Sequence, residues 1–437
     1  MGVASASGGM RDPGGGAVAA GGASRGARAL ERLRDVGVAP RAELARLKER
    51  TGLRAVGYFD SYLPEELIMA HGLIPYRVTV DGRDDSRSME HIQGYACPAA
   101  RNLLDQALRG DLAALDGVLF TRYCDSLRGV FAVWDTERLS PYVDFVRYPT
   151  VTTTDTAARY LAAELREVSG RMAAALDAPI EDHRLIESII ACDQKRVLVA
   201  ELARRRATRE MALSGSDYLA VLIAATTMLP DEFTQELSAL MAHPPAGEPG
   251  DALPVVLSGT TFDNVELAAL IEQAGLYIIA DDISTGSRWY SVRVAESAAA
   301  AAASASALAA SPAVAGPESD DTGTAAPSLV ADPWLALARA YLTKPPCSVK
   351  EPAEPRADHL ISQVRGSGAR GVVFYLTRYC DSEEVEWPYL RDRLTAEGIP
   401  AVMIEGEHRS QGFEQVRTRL EAFREQIEDD FDDGERG

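Results

Sequence analysis

Cysteine and histidine are scarce in this chain, and their spacing excludes several kinds of metal site. Only five cysteines and six histidines occur in 437 residues, and no two cysteines form a Cys-x-x-Cys pair. Zinc knuckles and ferredoxin-type cysteine runs depend on such close spacing and are therefore excluded. An odd number of cysteines in a chain with no recognisable secretory signal argues against a disulfide scaffold and favours a reducing, cytoplasmic compartment.

Basic residues and long apolar runs are also in short supply. Asp and Glu outnumber Lys and Arg by 65 to 45, which gives a formal charge of -20. Because nucleic-acid binding needs a basic surface, we expect no nucleic-acid partner. No apolar run approaches the roughly 20 residues that span a bilayer, so we expect no membrane association. The sequence also contains no phosphate-binding P-loop and no Ser-His-Asp signature.

What the sequence does contain is a repeat: Thr-Arg-Tyr-Cys-Asp stands at 121–125 and again at 377–381. Each copy follows a short apolar run that begins with glycine, which is typical of a buried strand. Ligands of α/β sheets usually bind at the carboxyl ends of strands, where Cys124 and Cys380 are predicted to lie. A following helix can favour the thiolate that binds iron or zinc. The plainer alternative is that each cysteine only ends a strand.

The other three cysteines occupy different local settings. Cys97 precedes Pro98, and proline suits the first turn of a helix, so Cys97 is expected at a helix N-terminus. Cys192 lies among apolar residues of a helical pattern and is expected in the core. Cys347 stands in a proline-broken loop, where a cysteine could ligate a metal, but exposure is the plainer expectation.

The apolar pattern divides the chain into segments and predicts an α/β fold. Residues 1–28 are rich in Gly, Ala and Ser and are expected to form a disordered tail. Short apolar runs alternate with helical stretches over residues 29–153 and again over 251–437, which predicts two Rossmann- or flavodoxin-like parallel-sheet domains. Residues 154–250 show helical spacing only and predict an intervening helical segment. Residues 295–331 are rich in Ala, Ser and Pro and are expected to be a mobile insertion in the second domain.

Two further segments carry polar residues near predicted strand ends. The first is a short helix opened by Pro64 and ended by Gly72, with Glu65 and Glu66 in its first turn. Carboxylates there favour the helix dipole, so a capping role is the plainer interpretation. The second is a strand-to-helix loop that could bind an anion. Its possible donors are Ser284, Thr285, Gly286 and Arg288.

Taken together, several segments resemble the 2-hydroxyacyl-CoA dehydratase family, in particular its D-component type subunits. The family is related to subunits of benzoyl-CoA reductases and to double-cubane cluster proteins. The matching stretches occur in the family's order from about residue 57 to residue 423. They include Pro64-Glu-Glu-Leu-Ile, Ala96-Cys-Pro, Cys124-Asp-Ser-Leu-Arg, Leu257-Ser-Gly, Thr285-Gly-Ser-Arg, Tyr379-Cys-Asp, Gly398-Ile-Pro and Arg417-Thr-Arg-Leu-Glu-Ala-Phe.

The resemblance implies a four-iron, four-sulfur cluster held by Cys97, Cys124 and Cys380, with one iron open to the substrate. The implied chemistry is a one-electron reduction of an acyl-CoA thioester, which permits loss of a β-proton and syn or anti elimination of water. The implied partners are the acyl-CoA, a separate ATP-dependent iron–sulfur activator protein, and a homologous sister subunit or a second copy of the chain.

The resemblance also suggests which other residues belong to the site. Ser61, Glu65 and Glu66 are candidate catalytic residues, and Arg288 and Ser284 are candidate cofactor-binding residues. Ser284 stands where relatives often have a further cysteine, so a role for a fourth thiol is in doubt. Two alternatives stay open: a benzoyl-CoA-type or double-cubane reductase subunit that acts on another small molecule, and a non-catalytic partner subunit.

Overall fold

The computed structural model describes residues 24–122, 124–245, 250–297, 331–350, 352–406 and 413–434. The predicted tail lies outside the described residues as far as residue 23, and the predicted insertion lies outside them from 298 to 330. The prediction that the disordered tail extends to residue 28 is wrong, because helix α1 begins at Arg25. The Ser24 hydroxyl caps this helix by accepting a hydrogen bond from the Ala27 N–H, and such a cap satisfies one of the free donors of the first turn.

The first sheet has four parallel strands in the order β2-β1-β3-β4. The strands are β1 (Ala55–Tyr58), β2 (Ile74–Arg77), β3 (Gly117–Thr121) and β4 (Val143–Val146). The helices of this region are α1 (Arg25–Val38), α2 (Pro40–Thr51), α3 (Glu65–Ala70), α4 (Pro98–Leu108) and α5 (Asp125–Thr136), with a 3₁₀ turn at Arg87–Glu90. Strands β1, β2 and β3 are buried along their whole length, as expected for a parallel sheet covered on both faces.

Four helices follow the first sheet in sequence: α6 (Asp155–Ala175), α7 (Asp182–Ala207), α8 (Gly215–Ala225) and α9 (Pro230–Ala242). Their apolar faces form much of two core clusters that join the helices to both sheets. None of the helices in the described part of the chain is long and apolar enough to cross a bilayer.

The second sheet repeats the topology of the first, with four parallel strands in the order β6-β5-β7-β8. The strands are β5 (Leu253–Gly259), β6 (Leu276–Asp282), β7 (Gly371–Thr377) and β8 (Ala401–Gly406). The helices are α10 (Val265–Gln273), α11 (Ser287–Tyr290), α12 (Pro333–Thr343), α13 (Glu354–Ser367), α14 (Asp381–Ala396) and α15 (Phe413–Gly434). The predicted α/β fold with two parallel sheets is thus confirmed.

Helix α14 begins directly after the second copy of the repeat's cysteine, at Asp381, and carries Pro388 inside it. Three acidic residues fill the first turn, Asp381, Glu383 and Glu384, and they favour the positive end of the helix dipole. That gain, together with packing, outweighs the single backbone hydrogen bond that proline removes.

The two copies of the repeat occupy equivalent places in the two sheets. One follows β3 and the other follows β7, which is the third strand in each chain order. In each sheet the strand order reverses between two neighbouring strands, β1 and β3 in the first sheet and β5 and β7 in the second. Such a switch point leaves a crevice at the carboxyl ends of the two strands. Cys124 and Cys380 therefore stand beside the crevices in which ligands of this fold usually bind.

Candidate functional site

Three cysteines that are far apart in sequence line one pocket. They are Cys97, Cys124 and Cys380. The pocket is completed by residues just after β1, β2 and β5, by the end of β7, and by the first turns of helices: Phe59, Asp60, Val78, Val80, Ala99, Ala100, Leu103, Leu127, Thr260, Thr261, Thr377 and Ser382. The strand-end crevices of both sheets therefore open into the same space.

Each of the three cysteines is the N-cap residue of a helix. Cys97 precedes α4, with Pro98 at its first position, as predicted; Cys124 precedes α5 and Cys380 precedes α14. The turn before α14 is tight: the Cys380 N–H donates to the Thr377 carbonyl at 3.0 Å, and Tyr379 takes a φ of 60°. This conformation is strained for a tyrosine, and strain of this kind is commonly kept at functional sites.

The thiols share one electrostatic environment. Burial raises the pKa of Cys97, Cys124 and Cys380, that of Cys380 to about 12. The neighbouring thiols raise the pKa of Cys124 further, so three thiolates would repel each other in this pocket. Backbone N–H groups of the three helix starts act in the opposite direction and favour the thiolate. A cationic metal centre would remove the repulsion and stabilise all three thiolates.

The three thiols line the pocket without forming a compact site for a single metal ion. Among the described residues, no three His, Cys, Asp or Glu side chains are grouped closely enough to hold one metal ion. An iron–sulfur cluster instead takes its cysteine ligands on different irons, so thiols spaced around a pocket are appropriate. Apolar walls such as Phe59, Leu103 and Leu127 would keep water from such a group.

The carboxylate of the pocket was not among the candidates that the sequence indicated. Asp60 follows β1 and is 6% exposed. Its Oδ2 accepts a hydrogen bond from the Thr121 hydroxyl at 2.6 Å, and its Oδ1 accepts one from the Tyr62 N–H at 2.8 Å. Burial raises the pKa of Asp60, and these hydrogen bonds oppose that change. The signal in the sequence was its place two residues after the apolar run of β1, at a strand end.

Glu65 and Glu66 do not line this pocket; they belong to a buried ion-pair network. The Lys195 ammonium lies 2.7 Å from Glu65 Oε2, and Arg196 Nη1 lies 2.6 Å from Glu66 Oε1. The Tyr341 hydroxyl donates to Glu66 Oε2 at 2.8 Å. Capping therefore describes only part of what these carboxylates do, because they join α3 to α7 and α12.

The other candidate residues also lie outside the pocket lining. Ser61 is the next residue after Asp60, and its hydroxyl accepts a hydrogen bond from Lys344 Nζ at 2.7 Å. The Ser284 N–H donates to the carbonyl of Thr260, a pocket residue, at 2.8 Å. Arg288 is 1% exposed and its Nε lies 3.1 Å from the Asp282 carboxylate. These residues therefore stabilise the strand ends without lining the pocket.

The remaining cysteines have separate surroundings. Cys192 is fully buried in α7 and lies 3.5 Å from the sulfur of Met69, which confirms the expected core position. The expectation of an exposed Cys347 is wrong, because this residue is only 2% exposed. The loop after α12 folds back on the core, and the Cys347 N–H donates to the Tyr62 hydroxyl at 3.1 Å.

Comparison with known proteins shows the family of this chain. The family described as 2-hydroxyglutaryl-CoA dehydratase, D-component, matches residues 60–317 and 317–427. The chain therefore belongs to this family, and the resemblance seen in the sequence is confirmed.

Relatives in the family include subunits of both dehydratases and a reductase. The beta subunit of (R)-2-hydroxyglutaryl-CoA dehydratase from Acidaminococcus fermentans is 28% identical over 405 residues, which cover 91% of this chain and 98% of that protein. The (R)-phenyllactyl-CoA dehydratase beta subunit from Clostridium sporogenes is 23% identical, over 90% of this chain and 97% of that protein. A benzoyl-CoA reductase subunit from Thauera aromatica is 23% identical, over 86% and 91% respectively.

Proposed function

We propose that this chain is the iron–sulfur subunit of a 2-hydroxyacyl-CoA dehydratase-type enzyme, a lyase that eliminates water from its substrate. Cys97, Cys124 and Cys380 would hold a four-iron, four-sulfur cluster. The observation that carries the proposal is the convergence of these three thiols on one pocket between the two sheets. When bound, such a cluster supplies an electron at low potential to the thioester carbonyl, which makes loss of the β-proton feasible.

The chain's own residues would hold the cluster and handle the protons of the reaction. The three helix N-termini stabilise thiolates, and the apolar walls exclude water from the reacting groups. The Asp60 carboxyl can hold a proton inside the pocket, because burial raises its pKa. A hydroxyl group leaves more readily when it is protonated, so Asp60 is suited to assist the departure of water.

The other candidate residues receive positioning roles in this proposal. Ser61 adjoins Asp60 and is anchored by Lys344. Glu65 and Glu66 fix α3 through their ion pairs with α7, and Arg288 and Ser284 hold the loop behind β5. The relatives are named as subunits, so we further propose a homologous sister subunit or a second copy as partner, and a separate ATP-dependent activator as the electron source.

The likeness to a benzoyl-CoA reductase subunit favours a second candidate function, reduction of an acyl-CoA without loss of water. Assay of the activated complex separates the two functions. A 2-hydroxyacyl-CoA converted to the enoyl-CoA supports the dehydratase, whereas consumption of an unsaturated or aromatic acyl-CoA alone supports the reductase. A complex that is active after Cys380→Ala would assign this chain a non-catalytic role.

Iron and sulfide analysis of the full chain, purified without oxygen, tests the cluster itself. We expect about four irons per chain in the wild type and a loss of most iron in Cys97→Ala, Cys124→Ala and Cys380→Ala. Cys192→Ala is the matched control, because its thiol is buried in α7 outside the pocket, and it should retain iron. A colourless, iron-free wild-type chain with its thiols intact would refute the proposal.

A further inference from the structure

A basic cavity of about 440 Å³ lies at the carboxyl ends of β3 and β4. It is lined by Arg122, Arg128, Phe145, Arg147, Tyr148, Pro149 and Tyr160. Three guanidinium groups and three aromatic rings thus share one cavity in a chain whose formal charge is -20. Guanidinium groups match phosphate oxygens in geometry, and aromatic rings stack on nucleic-acid bases.

The arginines of this cavity are only weakly neutralised by nearby carboxylates. Arg122 is exposed and forms no ion pair with a carboxylate of the described residues. The Arg147 side chain is 62% exposed, and its contact with Glu164 is long, at 3.4 Å. Arg128 pairs with Asp125 at 2.9 Å, but both side chains are exposed, and exposed pairs of this kind contribute little. The three guanidinium groups are therefore available to an anionic ligand.

A buried lysine holds the walls of the cavity in place. Lys350 is 4% exposed. Its Nζ donates to the carbonyls of Arg122 at 3.3 Å and Pro149 at 3.4 Å, and lies 4.6 Å from the centre of the Tyr148 ring. These contacts fix the chain after β3 relative to the chain after β4. The cavity is therefore a formed site, with Tyr160 of α6 offering a ring that is 46% exposed.

The position of the cavity relates it to the thiol pocket. Arg122 stands two residues before Cys124, and both follow β3. Arg122 lines the cavity and Cys124 lines the thiol pocket, so only two positions of the chain separate the linings of the two spaces. An acyl-CoA carries phosphates and adenine at one end and a thioester at the other, so its two ends suit two neighbouring sites of this kind.

We propose that this cavity binds the phosphorylated adenosine end of an acyl-CoA, with Arg122 and Arg147 contacting its phosphates and Tyr160 or Phe145 stacking on the adenine. The inference rests on the proposed function, since it assigns the remote end of that substrate to a site. It also predicts that the substrate enters along the β3–β4 side of the thiol pocket.

Calorimetric titration of the full chain with CoA, pantetheine and ADP tests the assignment. We expect CoA to bind more tightly than either fragment, and Arg122→Ala and Arg147→Ala each to raise the Kd for CoA by about tenfold or more. Pantetheine lacks phosphates, so its affinity should stay unchanged in both variants. Arg204→Ala is the matched control, because Arg204 is an exposed arginine of α7 that does not line the cavity.

The outcomes separate failure of this inference from failure of the proposed function. Equal CoA affinity in the wild type and both variants, no CoA binding at all, or ADP binding as tight as CoA binding would each overturn the acyl-CoA site. Iron is measured on the same samples, and thermal unfolding checks that the variants are folded. Iron-loaded protein with arginine-independent CoA binding contradicts only the inference, whereas iron-free protein with arginine-dependent CoA binding contradicts only the proposed cluster.

Discussion

At the scale of single residues, this protein depends on charges that are buried and paired. The Arg196 side chain is fully buried and meets Glu65 at 3.2 Å and Glu66 at 2.6 Å. It also donates to the Tyr341 hydroxyl at 2.8 Å. Because both carboxylates are buried, removal of the guanidinium would leave Glu65 with Lys195 as its cationic partner and would leave Glu66 without the cation that pairs with it among the described residues.

We expect Arg196→Ala to lower the free energy of unfolding by about 3–5 kcal/mol, the usual cost of breaking a buried ion pair on one side. Urea denaturation measures the change. Arg204→Ala removes a guanidinium of the same helix that pairs with Glu201 at the surface, so it should lower the free energy of unfolding far less than Arg196→Ala does. Equal losses in the two variants would contradict this account.

Lys344 is a buried titratable group, and it makes stability depend on pH. Burial lowers the pKa of Lys344 from 10.5 to about 7. Between these values the unfolded chain binds a proton that the folded chain does not, so the free energy of unfolding should rise as the pH increases from about 7 to 10.5.

Lys344→Met should therefore flatten the rise of stability with pH above neutrality. Urea midpoints at pH 7 and pH 9 measure how steeply stability rises with pH in the wild type and in the variant. The partly exposed Lys48, which pairs with Asp116, provides the control Lys48→Met. The idea fails if the wild-type slope persists in Lys344→Met.

At the scale of secondary-structure elements, the close contact between β5 and β7 shapes the wall of the thiol pocket. Gly259 ends β5 with a φ of 150°, and a Cβ atom placed on it would stand 2.6 Å from the Tyr375 carbonyl oxygen of β7. Thr260 and Thr261 of the pocket follow immediately. Only glycine permits this approach without moving one of the strands.

We expect Gly259→Ala to destabilise the protein by about 1–3 kcal/mol, because both the backbone conformation and the contact would be strained. Gly170→Ala is a control for which we expect a gain in stability instead of a loss. This glycine lies inside α6 with open space around it, so alanine should add about 0.5–1 kcal/mol through helix propensity. Thermal unfolding of both variants is the measurement, and a stabilised Gly259→Ala would refute the steric argument.

At the scale of the whole molecule, the two sheets are connected by a buried ion pair. Arg77 ends β2 of the first sheet, and its Nη1 lies 2.9 Å from the carboxylate of Asp263, which follows β5 of the second. The side chains are 2% and 1% exposed. Arg77 also donates to the Thr226 hydroxyl at 3.0 Å, so the helical segment shares this junction.

A double-mutant cycle at this junction should show strong coupling. Arg77→Met and Asp263→Leu should each cost about 3–5 kcal/mol, because each leaves one buried charge unpaired, while the double variant should cost much less than their sum. Urea denaturation measures all three variants. Additive losses would mean that the pair does not join the two sheets energetically; the exposed Arg34–Asp217 pair should behave additively.

The sequence by itself determined the local elements and the family of this protein. The glycine-started apolar runs gave the strands β3 and β7, since buried parallel strands need continuous apolar residues. Pro98 marked the start of α4, because proline is favoured in the first turn of a helix. The repeated pentapeptide placed two cysteines at equivalent strand ends. All of these signals are local, and local backbone chemistry is sufficient to produce them.

Only the tertiary structure decided which residues meet. It brought Cys97, Cys124 and Cys380 to one pocket, added Asp60 to that pocket, and paired Glu65 with Lys195, 130 positions away. It also buried Cys347, whose loop composition predicted exposure. These outcomes depend on how two sheets and the helices between them pack, and packing is set by many distant apolar contacts acting together. No local pattern contains that information.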